Sequence, residues 1–276
     1  MPQYDLIVLD FDGTFTDVER EAVPFLSHYR QGLSELVGRE IGALWERAVQ
    51  TVRAEPDAYG FRFGERIVAP SHADPYILSS CASRLVLAEL GVAPEGEGYE
   101  SLFHRAYAHA DTVFRSDARE VVDAVLALDV PTFVVSNSRT DNVIAKLHRL
   151  GEDLLERLEV RGDARKFHLV DPEPADPRFD GVPEQLEVES LSRPIYLRRG
   201  RYFETLSTIW AATGTTPERT LVCGDIFELD LALPQALGAS VHLVGRDDTP
   251  AWERGAVAAG GGTFSTALSG VLGRLS

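Results

Sequence analysis

Residues 6–14 have the sequence LIVLDFDGT, in which four apolar residues are followed by two carboxylates, a glycine and a threonine. The apolar run at 6–9 has no polar face, which is typical of a strand buried on both sides in a parallel sheet covered by helices. Such sheets bind their ligands at the carboxyl ends of the strands. The stretch therefore predicts a buried strand that brings Asp10 and Asp12 to the mouth of a site.

Asp10 and Asp12 are predicted to share one orientation, because alternate residues of a strand point to the same side while Phe11 points away. Gly13 allows the backbone to turn sharply after them. Neighbouring carboxylates repel each other unless a cation or a proton lies between them, and Mg²⁺ is a hard ion that prefers such oxygen ligands. The alternative is an ordinary polar turn, since Asp and Gly are common turn residues. Similar polar ends on two later strands favour the magnesium site.

The composition is that of a globular chain without a membrane segment. Its 276 residues are 44% hydrophobic and 25% charged, which suits one large domain or two modest ones. No apolar run reaches the length of a membrane span, and the N-terminal residues lack a signal-like pattern. The two cysteines, Cys81 and Cys223, are too few for a disulfide framework or a structural zinc site. We therefore expect a cytoplasmic protein with no membrane partner.

The formal net charge of the chain is -16 at pH 7. This charge argues against nucleic acid and anionic membranes as partners, because both require a basic surface. A small phosphorylated metabolite is compatible with it if cations are gathered locally. The oligomeric state cannot be inferred from the sequence.

A long helical segment separates the first strand from the next. Apolar residues recur at three- and four-residue intervals through much of 19–113, which is the spacing of amphipathic helices. A right-handed crossover between parallel strands needs only about a dozen residues. We therefore predict an inserted, mainly helical domain at 17–115 and a core formed by 1–16 and 116–276. Within the core, the Pro-, Asp- and Glu-rich segment 167–196 is predicted to be a surface excursion.

Polar residues follow two further apolar runs in the same way. The run TFVV ends at Ser136 and Asn137 and leads into a helix, whose first backbone N–H groups could point at an anion. Ser and Asn are also good helix caps, which is the alternative interpretation. The run TLVC is followed by Asp225 and, five residues later, by Asp230. Strands that alternate with helices predict a doubly wound, mostly parallel sheet whose strand ends converge on one crevice.

Lysine is rare in this chain. Lys146 and Lys166 are the only two lysines, and the remaining cationic side chains apart from histidine are arginines. Lys166 follows a weak strand at 158–160. Lys146 lies well inside the helix after Asn137, where we expect a solvated surface residue.

These motifs resemble those of the haloacid dehalogenase (HAD) superfamily. Residues 10–14, DFDGT, are similar to its first motif, Asp-x-Asp-x-Thr. Residues 134–137 resemble its second motif, an apolar strand that ends in Ser or Thr. Residues 224–230, GDIFELD, resemble its fourth motif, Gly-Asp followed by a second acid. The resemblance implies an α/β fold with a Rossmann-like core, dependence on Mg²⁺, and a helical cap domain that governs the choice of substrate.

The third motif of the superfamily is a basic residue between the second and the fourth, and in this chain it is ambiguous. A Lys-Pro pair usually opens the helix before the fourth motif, where this chain has Arg199 and Gly200. Lys166 is the preferred candidate for the phosphate-binding cation, and Arg199 is the alternative.

The resemblance implies a role for each candidate residue. Asp10 would be the nucleophile that forms an aspartyl-phosphate, and Asp12 would be the general acid and base. Mg²⁺ would be held by Asp10, the backbone carbonyl of Asp12, and Asp225. The remaining candidates are predicted to bind the phosphoryl group (Ser136, Asn137, and Lys166 or Arg199) or to orient the basic residue or a metal-bound water (Asp230 and Glu228).

The sequence thus predicts a Mg²⁺-dependent phosphomonoester hydrolase that acts on a small soluble phosphorylated substrate. Asp12 favours phosphoryl transfer over dehalogenation, because a departing halide needs no proton and that branch of the superfamily generally lacks an acid at this place. A phosphomutase or phosphotransferase with the same residues is one alternative. A protein that binds a phosphorylated ligand without turnover is the other.

Overall fold

The computed structural model describes residues 3–275. The strands, in chain order, are β1 (Leu6–Leu9), β2 (Gly60–Phe63), β3 (Arg66–Pro70), β4 (Thr132–Val135), β5 (Leu158–Arg161), β6 (Gln185–Leu186), β7 (Ile195–Tyr196), β8 (Thr220–Gly224), β9 (Ser240–Val244) and β10 (Thr263–Ser265). The α-helices are α1 (Val18–Val37), α2 (Gly42–Ala54), α3 (Pro75–Glu89), α4 (Glu97–Tyr107), α5 (Ala118–Leu126), α6 (Thr140–Leu150), α7 (Pro177–Asp180), α8 (Gly200–Thr213), α9 (Ala232–Ala236) and α10 (Ala251–Ala259). Short 3₁₀ helices occur at Glu152–Glu156, Pro217–Arg219 and Leu268–Arg274, and a π-helical turn at Phe227–Leu231. Among the described residues, none of the helices is both long and apolar enough to cross a membrane.

The chain divides into two compact units. One unit combines the chain up to Thr16 with the chain from Phe114 onward, and the other spans Asp17–Val113. Phe114 and Arg115, which the sequence placed in the insert, belong to the first unit. The backbone N–H of Arg115 donates to Phe15 O at 2.9 Å, and Phe114 forms a bridge with Thr16. That the second unit acts as a cap stays a prediction.

A six-stranded parallel sheet forms the centre of the first unit, with the strand order β10-β9-β8-β1-β4-β5. Strand β1 lies between β8 and β4, and Leu9 at its end is paired with Cys223 on one side and Val134 on the other. Because the strands are parallel, their carboxyl ends lie along one edge of the sheet. The polar residues that follow β1, β4 and β8 are therefore brought together, and the predicted parallel α/β fold is confirmed.

Both faces of this sheet are covered by helices. Leu6 and Val8 of β1 belong to one apolar cluster, together with residues of α8 and α10. Ile7 and Leu9 belong to a second cluster, together with residues of α5 and α6. Successive side chains of a strand point to opposite faces. The continuous apolar run of β1 therefore supplies two cores at once, as a doubly wound sheet requires.

The second unit is mainly helical, and its core is rich in aromatic rings. Phe25 stacks on Tyr29 with ring centroids 5.1 Å apart, and its ring lies 5.2 Å from that of Phe103. Helix α1 ends at Gly38, whose φ of 67° is a left-handed cap. The long helical pattern at the start of this unit is accordingly divided into α1 and α2. The connection before α3 forms the antiparallel hairpin β2–β3.

The segment 167–196 is less exposed than its composition predicts. It contains α7 and the paired strands β6 and β7. Phe179 and Ile195 are fully buried in the same cluster as α8. The prediction of a surface excursion did not include these two buried residues. Apolar residues scattered among Pro, Asp and Glu follow neither the helix period nor the strand period, so the sequence pattern does not show that they are buried.

His242 is buried on β9, the strand next to the edge strand β10. Its ring nitrogens form hydrogen bonds with Thr263 Oγ1 at 2.7 Å and with Ser265 Oγ at 2.9 Å, both on β10. Burial lowers the pKa of His242 to about 4, with a further contribution from the charge of Arg274. The imidazole is therefore neutral in the folded protein at neutral pH.

We expect His242 to make the stability depend on pH. Since its pKa is about 6.5 in the unfolded chain and lower in the folded one, the unfolded chain binds the proton first. The free energy of unfolding should fall as the pH is lowered from about 6.5 toward 4, by on the order of 3 kcal/mol from this residue. Urea unfolding over this range should show a shallower decline for His242→Gln than for the wild type. His148→Gln, at an exposed position of α6, is the control. Equal declines in the wild type and His242→Gln would contradict the prediction.

Candidate active site

The loop after β1 is held by contacts on several sides. Asp10 N donates to Cys223 O at 2.8 Å, and Thr14 Oγ1 donates to Asp10 Oδ2 at 3.2 Å. Arg115 donates twice to Gly13 O, through Nε at 3.0 Å and Nη2 at 2.8 Å. Asp10 is only 7% exposed. Backbone and side-chain contacts together thus fix its carboxylate at the end of the strand.

Three buried carboxylates meet at the strand ends. Asp10, Asp225 and Asp230 have oxygens within 4.8 Å of one another. Oxygen ligands grouped in this way suit a hard divalent cation such as Mg²⁺. Of the predicted ligands, Asp10 and Asp225 are in this group, and Asp230, predicted to lie outside the ligand set, joins them. Metal binding by the backbone carbonyl of Asp12 stays a prediction.

Gly13 makes this cluster possible. Its φ of 86° lies in the left-handed region that favours glycine. A Cβ at this position would lie 2.0 Å from Asp225 Oδ2. The absence of a side chain therefore allows the Asp225 carboxylate to approach the turn after β1.

Lys166 lies between two of the three carboxylates. Its Nζ is 2.7 Å from Asp10 Oδ1 and 2.7 Å from Asp230 Oδ1, and the residue is buried. Burial by itself lowers the pKa of Lys166, but the two carboxylates outweigh burial and the net shift is upward. Burial raises the pKa of Asp10 to about 7, and the charge of Lys166 opposes that rise. A bound divalent cation would act in the same direction as Lys166 and favour the carboxylate form of Asp10.

Arg199, the alternative basic candidate, is placed behind Lys166. It is completely buried, and its guanidinium donates to Lys166 O at 2.9 Å and to Tyr196 O at 3.0 Å. Burial lowers the pKa of Arg199 to about 10. The side chain of Asn137 has a similar supporting contact, since its Oδ1 accepts a hydrogen bond from Lys166 N at 2.7 Å. Lys166 is thus the basic candidate that contacts Asp10, while Arg199 and Asn137 hold the backbone of Lys166.

The Asp12 side chain belongs to a separate network. Asp12 Oδ2 accepts hydrogen bonds from Ser138 Oγ at 2.7 Å and Ser136 Oγ at 3.2 Å. Asp12 Oδ1 lies 2.8 Å from Lys146 Nζ, and the Lys146 side chain is 19% exposed. The prediction that Lys146 is a solvated surface residue was wrong, because α6 places it against the loop after β1. Ser136 lies next to an acid of that loop, and its binding of a phosphoryl group stays a prediction.

Asp230 and Glu228 lie in the π-helical turn after β8. Asp230 Oδ2 accepts a hydrogen bond from Ile226 N at 2.9 Å, and the other carboxylate oxygen, Oδ1, contacts the ammonium group of Lys166. Glu228 is fully buried and forms a two-pronged ion pair with Arg193, one contact of which is 2.9 Å. Arg193 comes from the segment 167–196. Glu228 therefore anchors that segment to the turn that carries Asp230.

Four residues of this region were missed or misjudged from the sequence: Arg115, Ser138, Lys146 and Arg193. Ser138 offered a signal, because it repeats the hydroxyl of Ser136 two residues later. Lys146 also offered one, since lysine is rare in the chain. The two arginines offered none in a chain where arginine is common, because their contacts join residues far apart in the sequence.

We expect Gly13→Ala to lower the affinity for Mg²⁺ by about tenfold or more, because the added Cβ displaces the Asp225 carboxylate. Isothermal titration calorimetry with Mg²⁺ measures this change. Gly214→Ala is the matched control, since Gly214 has a φ of 65° but a Cβ there would meet nothing within 4 Å. Both substitutions introduce backbone strain. Mg²⁺ affinity in Gly13→Ala equal to that of the wild type would contradict the proposed ligand cluster.

Comparisons with known proteins give matches in structure. No family model matches the chain, and no curated protein matches it in sequence. A predicted phosphoglycolate phosphatase from Haemophilus somnus 129pt matches with a TM-score of 0.57 and 14% identity, over 99% of this chain and 98% of that chain. A Thermotoga maritima protein assigned as a beta-phosphoglucomutase matches with a TM-score of 0.57 and 14% identity, over 98% and 97% of the two chains.

A third similar structure is that of YfnB from Bacillus subtilis, assigned as a HAD-hydrolase and bound to magnesium. It matches with a TM-score of 0.53 and 14% identity, over 99% of this chain and 98% of that chain. Identities this low carry information about the fold, and function has to be argued from the site. The resemblance inferred from the motifs is confirmed at that level: this chain has the fold of the haloacid dehalogenase superfamily.

Proposed function

We propose that this chain is a Mg²⁺-dependent phosphomonoester hydrolase that works through an aspartyl-phosphate on a small phosphorylated substrate. The observation that carries the proposal is the separation of the two carboxylates after β1. Asp10 contacts Lys166 beside the acidic cluster, whereas Asp12 contacts two serine hydroxyls and Lys146. Two carboxylates in different surroundings can take different roles, one as a nucleophile and the other as a proton carrier.

In the first step, a carboxylate oxygen of Asp10 attacks phosphorus, and the bond from phosphorus to the ester oxygen breaks. Thr14 and Lys166 each bind one oxygen of the Asp10 carboxylate, which orients it. Asp12, in its carboxylic acid form, gives a proton to the departing ester oxygen and becomes a carboxylate. Mg²⁺ held by Asp10, Asp225 and Asp230, with the Asp12 carbonyl as the further predicted ligand, would supply positive charge that offsets repulsion between carboxylate and phosphoryl oxygens.

In the second step, Asp12 takes a proton from a water molecule that attacks the phosphorus of the aspartyl-phosphate. The bond between phosphorus and the Asp10 oxygen breaks, phosphate leaves, and the two acids return to their starting states. Ser136 and Lys166 are proposed to bind the phosphoryl oxygens as charge moves onto them. Asn137 and Arg199 contact the backbone of Lys166, so we assign them to its support.

A phosphomutase is the second candidate, and the likeness to the Thermotoga maritima protein favours it. The same residues would serve, and the difference lies in what accepts the phosphoryl group from Asp10. A mutase returns an isomeric phosphate ester with little free phosphate, whereas a hydrolase releases phosphate in step with substrate loss. Product analysis separates the two.

We expect the purified protein to release phosphate from para-nitrophenyl phosphate with Mg²⁺ and to lose this activity with EDTA. Asp10→Asn should lower the rate by about 10³-fold or more, because an amide is a poor nucleophile. Asp141→Asn, the same change at a side chain that is 62% exposed, controls for the substitution itself. Activity that survives metal removal and Asp10→Asn would overturn the proposal. Saturable phosphate binding without turnover would instead favour a non-catalytic binding protein.

We expect Asp12→Asn to accumulate a phosphoenzyme from para-nitrophenyl phosphate. The nitrophenolate departs without needing a proton, so the first step proceeds, whereas the second step lacks its base. Acid quenching and intact-mass spectrometry should show the mass of one added phosphoryl group in Asp12→Asn and none when Asp10→Asn is added to it. A phosphoryl group on the double variant would contradict the assignment of Asp10.

A further inference from the structure

Both lysines of this chain contact a carboxylate of the loop after β1. Of 27 Lys and Arg residues, only Lys146 and Lys166 are lysines. Lys166 Nζ lies 2.7 Å from Asp10 Oδ1, and Lys146 Nζ lies 2.8 Å from Asp12 Oδ1. The proposed function gives Lys166 a role and leaves Lys146 without one.

The two oxygens of Asp12 are held from two directions. Oδ1 meets the ammonium group of Lys146, which comes from the middle of α6. Oδ2 accepts the hydrogen bond from Ser138 Oγ at 2.7 Å, just before α6 begins. A carboxylate with a separate donor on each oxygen cannot rotate about its Cβ–Cγ bond without losing a contact. The orientation of Asp12 is therefore set by α6 and the turn that precedes it.

We propose that Lys146 and Ser138 are positioning residues, which hold the Asp12 carboxyl group where it passes a proton to the leaving oxygen. This inference rests on the proposed function, in which Asp12 is the general acid and base. The contact is sheltered, since the Lys146 side chain is 19% exposed and its Nζ lies 5.6 Å from the centre of the Phe11 ring. Hydrogen bonds to charged groups are stronger than neutral ones, and shelter from solvent weakens their screening by salt.

A misplaced general acid affects substrates unequally. A phosphate ester with a poor leaving group needs the proton at the departing oxygen, whereas one with a good leaving group does not. Phenyl phosphate and para-nitrophenyl phosphate share the aryl phosphate group and differ only in the para-nitro substituent, and phenolate is the poorer leaving group. Loss of positioning should therefore lower kcat/KM for phenyl phosphate more than for para-nitrophenyl phosphate. A general structural defect would lower both alike.

The test compares Lys146→Met with the wild type on these two esters in the presence of Mg²⁺. We expect kcat/KM for phenyl phosphate to fall about tenfold more than kcat/KM for para-nitrophenyl phosphate. Ser138→Ala should change the ratio in the same direction, which keeps the proposal testable if one variant folds poorly. Arg149→Met removes the same charge from an exposed position of α6 and should leave the ratio unchanged. Equal losses on both esters, or no loss, would overturn the inference.

A crystal structure of Lys146→Met provides a readout that does not depend on turnover. We expect its Asp12 carboxylate to rotate away from the position in which it contacts Ser136 Oγ at 3.2 Å. An unchanged Asp12 would overturn the inference whatever the kinetics show. If the wild type hydrolyses neither ester, the proposed function fails. The crystal structure of Lys146→Met then still shows, without any turnover, whether Lys146 holds the Asp12 carboxylate in place.

Discussion

One buried ammonium group, that of Lys166, connects three strand ends of the sheet. It follows β5 in the chain and contacts Asp10 after β1 and Asp230 after β8, each at 2.7 Å. Taking a charge out of water is costly, and carboxylates at close range offset that cost only when the geometry is good. Arg199 and Asn137 hold the Lys166 backbone in the required place. The strand order of the sheet and Arg199, at the start of α8, thus act together to bring one cation to Asp10 and Asp230.

The loop after β1 places its two acids in different chemical surroundings although a single residue separates them. Asp10 is buried beside other carboxylates, where a divalent cation fits the oxygen donors and where Gly13 leaves room for Asp225. Asp12 lies on the side of β4 and α6, where hydroxyl groups and Lys146 are its partners. A nucleophile needs a fixed, ionised oxygen, and a proton carrier needs partners that suit both of its protonation states, as serine hydroxyls do because they can donate or accept a hydrogen bond. The same strand end therefore supports both roles.

The parts of this arrangement that depend on local sequence could be predicted, and the parts that depend on distant partners could not. The apolar run before Asp10 determines a strand buried on both faces, and parallel strands necessarily bring Ser136 and Asp225 to the same edge. Which basic side chain reaches Asp10 is settled by packing. Arg199 opens a helix at the expected place, yet its guanidinium binds the carbonyl of Lys166. Neither helix period nor charge could show this.

Lys146 is a second residue whose contact could not be predicted from the sequence. Its position inside an amphipathic helix predicts solvent exposure, and only the packing of α6 against the loop after β1 reveals its contact with Asp12. The segment 167–196 is similar, because its polar composition hides Phe179, a fully buried anchor. Sequence patterns report which face of an element is apolar. They do not report which distant element a polar side chain will meet.

The proposed reaction requires that Asp10 form a covalent bond to phosphorus. A crystal structure of the wild type with Mg²⁺ and trifluoroberyllate, which mimics a phosphoryl group on a carboxylate, tests it most directly. We expect beryllium bonded to a carboxylate oxygen of Asp10, with Lys166 and Ser136 in contact with the fluorine atoms. Beryllium bonded to another residue, or an unmodified Asp10 beside a bound fluoride complex, would contradict it.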